Sequence, residues 1–240
     1  MIAPACGDDE VADDGVPPID SGIPDAGVDA ENLCPGAITF EAFAGNLESG
    51  SAEFEVEVTE VADPGNSASS APNGRVVLCL PQDTDSEIRA EKTDYLTRVD
   101  AVTTGVFTIL TGAGQPYPLF VIAQAAAETL YTDLGTTFMA GDAQVVVSVL
   151  EYPAGTPLTG ATVEIDKADT GTFTRDGVGG FADGNAVAGG GLVLFANVPL
   201  AGGDLEITVT PPDGFRGTCT GPATLGLTAG EMSGALFACQ

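Results

Sequence analysis

Apolar and polar positions along this chain follow mainly the two-residue period of half-buried strands. Phe54-Glu55-Val56-Glu57-Val58-Thr59 alternates side to side. Residues 38–43 read as a strand before it, and 75–80 read as a buried strand closed by Pro81. Residues 87–95 carry Ile88, Ala90 and Lys92 on one side, and 99–102 with 106–110 predict a hairpin around Thr104-Gly105. The period then changes. Residues 117–134 place Leu119, Ile122, Ala126 and Leu130 at helical spacing around an alanine-rich centre, with Gly135 placed to end the helix. Strands resume at 143–150, a valine run of Val145, Val146, Val147 and Val149, and continue at 161–166, 192–198, 205–210 and from 224 to 238. Between them, 167–191 reads as a long glycine-rich loop, either mobile or used in binding.

The order of elements repeats. Strand 76–80 ends in Pro81, an acidic turn leads to 87–92, and Asp94-Tyr95 follows. Strand 193–198 ends in Pro199, a Gly-Asp turn leads to 205–209, and Gly214-Phe215 follows. The expected fold class is therefore all-β: two tandem β-sandwiches at 36–116 and 142–240, joined by a helical connector at 117–141. Residues 1–35 differ in kind. They hold acidic residues from Asp8 to Glu31 and no basic one, and read as a disordered acidic tether.

Composition narrows the function. With 35 acidic and 7 basic residues the net charge is −28, which repels phosphate backbones and anionic headgroups, so no nucleic-acid partner is expected. The chain has no histidine, which removes Ser-His-Asp and Cys-His catalysis and the commonest zinc ligand. Lys92 and Lys167 lie in polar surroundings that do not suit a Ser-Lys pair. A carboxylate-pair hydrolase would need a cleft and sugar-stacking aromatics, and Trp is absent. No enzyme activity and no cofactor are expected. Calcium is the one metal to weigh, with Asp83, Asp85 and Glu87 on one turn and Asp166 with Asp169 on another. No run of about 18 apolar residues is present.

Two resemblances sharpen the picture. Pro157-Leu158-Thr159-Gly160-Ala161-Thr162-Val163, after the valine-rich strand and before Val198-Pro199 and Gly214-Phe215, resembles the opening of carboxypeptidase regulatory-like domains. That resemblance implies a transthyretin-like β-sandwich without an active site, with Gly189-Gly190-Gly191 standing where the family has an Asp-Gly turn. Ile2-Ala3-Pro4-Ala5-Cys6-Gly7 is similar to the lipobox of bacterial lipoproteins, and the spacer after it resembles linkers of exported myxobacterial proteins. It implies a lipid on Cys6 as the only membrane contact, with an exported, surface or periplasmic location. The other four cysteines allow three connectivities, and proximity favours Cys34 with Cys79 and Cys219 with Cys239.

The expected role is structural or adhesive display. The alternative is a carbohydrate- or peptide-binding module, for which Tyr95, Phe173, Phe181 and Phe215 would have to gather on one face.

Overall fold

The computed structural model describes Cys34 and residues 36–240; Cys6 and most of the expected tether lie outside the described residues. The first half runs β1 (Ile38–Asn46), β2 (Glu57–Glu60), β3 (Ser67–Ser69), β4 (Arg75–Leu80), β5 (Ser86–Glu91), β6 (Arg98–Val102), α1 (Thr104–Ala113), β7 (Tyr117–Val121) and α2 (Gln124–Asp133). The second runs β8 (Ala143–Glu151), β9 (Thr156–Pro157), β10 (Thr162–Ile165), β11 (Gly171–Arg175), β12 (Phe181–Asp183), β13 (Leu192–Val198), β14 (Leu205–Thr210), β15 (Cys219–Thr220), β16 (Thr224–Leu225) and β17 (Met232–Cys239).

Two sandwiches in tandem are present, and they share one sheet. Its path is β12-β11-β13-β8-β17-β6-β5-β2-β3, so the last strand of the chain lies between a strand of each half. Strand β17 is parallel to both neighbours, pairing Met232 with Arg98 on one side and with Gln144 on the other. A separate sheet β4-β1-β7, with α1, covers the first-half portion. A third, β10-β14-β16, covers the second-half portion.

This placement explains which strands alternate and which do not. Strand β4, expected to be buried, instead alternates, with Arg75, Val77 and Cys79 exposed and Val76, Leu78 and Leu80 buried, because only one face meets a core. Strand β17 is buried at all eight positions, and β8 from Ala143 to Val149. Val145, Val147 and Val149 face the β10-β14-β16 layer, while Val146 faces the core under α2 with Leu192, Leu194 and Met232. Leu236 and Ala238 reach the core of the first half, and Ala235 and Phe237 that of the second. At roughly 1.5–3 kcal/mol for each large apolar side chain buried, β17 contributes to all three cores at once.

Helix α2 is fixed to the sheet by a buried polar network. The Tyr131 hydroxyl and the Asn197 amide N–H both donate to Gln144 Oε1. Asn197 occupies a bulge of β13 at φ 52°, and its side chain accepts from the Met139 N–H and donates to Thr137 O and Thr170 Oγ1. Asparagine tolerates the left-handed conformation, and here its amide satisfies a buried bend. Burial pushes the Tyr131 hydroxyl far above the ordinary tyrosine range.

Three local expectations are corrected. Residues 106–110 form part of helix α1, not the second strand of a hairpin. Thr103 Oγ1 accepts from the Val106 N–H, Asp85 Oδ1 accepts from the Thr104 N–H at 2.9 Å, and Gly114 closes the helix at φ 63°. Residues 117–121, expected as the start of the connecting helix, form strand β7 parallel to β1. The helix itself is confined to Gln124–Asp133, with Gly135 just past its end at φ 77°. Finally, 167–191 is no featureless loop. It contains the β11–β12 hairpin at one edge of the shared sheet, its turn held by Asp176 Oδ1 accepting from the Val178 and Gly180 N–H groups.

Candidate functional site

Register fixes where the ends of the described chain lie. Cys34 is bonded to Cys79 in β4, and Gly36 and Ala37 line a hollow with Cys79 and Pro81. The turn after Pro81 leads to Ser86, which pairs with Val102 at the end of β6. Strand β17 is parallel to β6, so its end points the same way. Asp85, Gly105 and Thr220 line one cleft there, and Cys219 next to Thr220 is bonded to Cys239. Residues 34 and 240 therefore lie at one pole, where β4 and β17 each carry a disulfide near their ends.

The opposite pole holds the ends of β1 and β5. Glu53 gathers three donors: Lys92 Nζ at 2.6 Å, the Tyr95 hydroxyl at 3.0 Å and Asn46 Nδ2 at 3.1 Å. Lys92 Nζ also lies 4.6 Å from the centre of the Tyr95 ring. Asn46 Oδ1 accepts from the Glu48 and Ser49 N–H groups and so shapes the adjoining turn. Burial on its own would raise the Glu53 carboxyl, but these hydrogen bonds and the Lys92 charge hold it below its ordinary value of 4.5. Burial would lower Lys92, and Glu53 overcomes it, so the ammonium stays protonated past its ordinary 10.5. Burial and then Glu53 raise the Tyr95 hydroxyl. A lysine held charged in this way is a tie between β1 and β5, not a nucleophile.

A pH signature follows. The depressed Glu53 contributes stability that is present above pH 4.5 and lost as pH falls through its lower folded-state value. Glu53→Gln is expected to cost about 1 kcal/mol at neutral pH, with the difference from the parent chain shrinking below pH 4. Thermal unfolding of both chains between pH 2 and 7 checks this, and a constant difference across that range would contradict it.

Three of the five calcium candidates accept hydrogen bonds from neighbouring segments. Asp85 caps α1, Asp83 sits in the preceding turn at φ 55°, and Glu87 is exposed on β5. Asp166 Oδ1 accepts from the Glu206 N–H and Asp169 Oδ2 from the Thr172 hydroxyl. Among the described residues no group of three or more acidic or cysteine side chains is arranged to hold a metal ion. The four aromatics considered for a ligand face do not gather. Phe173 and Phe181 pack with the core under α2, Tyr95 with the first-half core and Phe215 with the second.

The most constrained site went unnoticed in the sequence. Arg98 and Asp100, both wholly buried on β6, form a two-pronged ion pair at 2.6 and 2.8 Å, and Arg98 Nη1 donates to Phe120 O of β7 at 2.6 Å. Gly234 of β17 lies against them, with no room for a side chain. Tyr117 is beside Asp100; burial first, then the carboxylate charge, raises its hydroxyl well above the ordinary range. The one available signal was the Arg-Val-Asp spacing, which puts both charges on the inward face of an apolar strand.

No family model matches the chain, and no curated protein matches it. Solved structures similar to it include the Bacillus anthracis TIE protein, at 11% identity over 85% of this chain and 34% of that one, with a TM-score of 0.26. GBS52, the minor pilin of Streptococcus agalactiae, aligns at 8% identity over 85% of this chain and 95% of its own, with a TM-score of 0.28. The shaft pilin SpaA from Lactobacillus rhamnosus GG aligns at 10% identity over 85% and 98%, with a TM-score of 0.25. The chain thus spans about a third of the first of these. Alignments at this level carry no weight for function. Among the described residues no helix is long and apolar enough to cross a membrane.

Proposed function

We propose that this chain is a non-catalytic display module, exported and anchored through a lipid on Cys6, its second half a carboxypeptidase regulatory-like sandwich. The observation that carries the reading is the polarity of the fold. The segment that would serve as tether joins the sandwich at the disulfide-bonded pole, so the pole with Asn46, Glu53, Lys92 and Tyr95 is directed away from the anchor. Two intrachain disulfides suit an oxidising compartment outside the cytosol. The charge of −28 keeps such a surface soluble and away from anionic membranes, and leaves a protein or carbohydrate as the partner class.

The test uses cells producing the full chain with Ser49→Cys, an exposed position at the outward pole. A membrane-impermeant maleimide is expected to label it on intact or outer-membrane-permeabilised cells, with Cys34, Cys79, Cys219 and Cys239 recovered as disulfides. Labelling only after complete lysis, or free thiols at Cys34, Cys79, Cys219 and Cys239, would overturn the reading.

A further inference from the structure

Residues 217–221 form a strap across the end of β17. Cys219 pairs with Cys239 and is bonded to it, and Thr218 exchanges both backbone hydrogen bonds with Gln240, at 2.9 and 3.0 Å. Glycines permit the close approach on either side. A methyl group at Gly217 would meet Gln240 O, and one at Gly221 would lie 2.5 Å from the Phe237 ring. The strap also touches the first half: a Cβ at Gly105, in the first turn of α1, would lie 2.6 Å from the Thr220 methyl. Cys239 is fully buried, while Cys219 is half-buried, so a reductant approaches the bond from the Cys219 side.

We propose that the Cys219–Cys239 bond is a redox-sensitive latch on the strand that both halves share, so that its opening loosens the two sandwiches together. A dithiol reductant opens it by exchange. Its thiolate attacks Cys219 Sγ, forming a mixed disulfide and expelling Cys239 as a thiolate that takes up a proton. The reductant's second thiol then attacks the mixed disulfide, closing the reductant's own ring and releasing the Cys219 thiol. The protein disulfide is reduced and the dithiol oxidised. Without the bond, strap and strand end are joined only by the short ladder that pairs Thr218–Thr220 with Ala238–Gln240. Fraying of β17 from this end first withdraws Leu236–Cys239 from β8, and as it runs on to Met232–Ala235 it withdraws pairing from β6 as well. The other disulfide has no such reach, since β1 and β4 belong to the separate sheet of the first half. The latch would act wherever the protein resides, so it stands apart from the export reading.

Hydrogen exchange followed by mass spectrometry tests it on the full chain and on two variants, Cys219→Ala/Cys239→Ala and Cys34→Ala/Cys79→Ala. Loss of the latch is expected to speed exchange on the order of 100-fold, the loop-closure effect of a loop this size, in β17, β8 and β6 alike. Loss of the other bond is expected to act on β1 and β4 only. Acceleration confined to 217–221 and 239–240, or the same pattern in both variants, would overturn the proposal. Should the first variant fail to fold, the parent chain is titrated with dithiol while thiol labelling reports which bond has opened. Both halves are then expected to lose protection together as Cys219 and Cys239 become labelled, and protection that outlasts this labelling in either half counts against the latch.

Discussion

Gly234→Ala is expected to disrupt the centre of the molecule. The added methyl carbon would stand 1.8 Å from Asp100 Oδ1 and 2.5 Å from Arg98 Nη2. Neither group can step aside, because the guanidinium is held by Asp100 and by Phe120 O, and both residues are wholly buried. Either the ion pair is pushed apart or β17 leaves its register between β6 and β8. The first outcome leaves two uncompensated charges in the core, and the second opens the shared sheet. We expect a loss of about 4–5 kcal/mol and a melting temperature lower by roughly 10–20 °C. Gly226→Ala is the matched control, since its nearest neighbour would be Glu87 Oε1 at 3.8 Å, and it is expected to stay within about 1 kcal/mol of the parent. Calorimetry on both chains decides the matter, and equal melting temperatures would refute the steric account.

The ion pair itself should behave as one unit. Asp100→Leu strands the Arg98 charge, and Arg98→Met strands the Asp100 charge beside the Tyr117 ring; each is expected to cost about 3–5 kcal/mol. The double variant removes both charges and puts apolar volume in their place. Its cost is expected to fall well below the sum of the singles, and below the larger single if the space is filled well. Urea unfolding of the four chains gives the coupling energy, and simple additivity would show that the two residues act separately. The lost hydrogen bond to Phe120 O keeps the double variant from matching the parent, because that carbonyl loses its donor in the core.

The strands that read most clearly from the sequence are those whose environment is set locally. Strand β5 alternates, with Ile88 and Ala90 buried and Glu87 and Glu91 exposed, because one face is wet, and the unbroken valines of β8 mark a strand covered on both sides. The errors arose where a distant residue made the decision. Val106, Phe107, Ile109 and Leu110 are strand-forming in type, yet Thr103 caps a helix there and Asp85 from another turn adds a second acceptor at its start. Tyr117 to Val121 was drawn into the helical reading by the alanines that follow, whereas its pairing partner is β1. The core ion pair shows the limit most plainly. Two charges spaced two apart can be seen in the sequence, but the glycine that makes room for them belongs to a strand from the far end of the chain.

The position of β17 also sets an order of events during synthesis. Every neighbour that β17 joins is made before it, and until residues 232–239 emerge β6 and β8 each lack a partner along one edge. Contacts of such long sequence separation form late and slowly. The shared sheet therefore cannot close until residues 232–239 have been made, however early the hairpins within each half have paired.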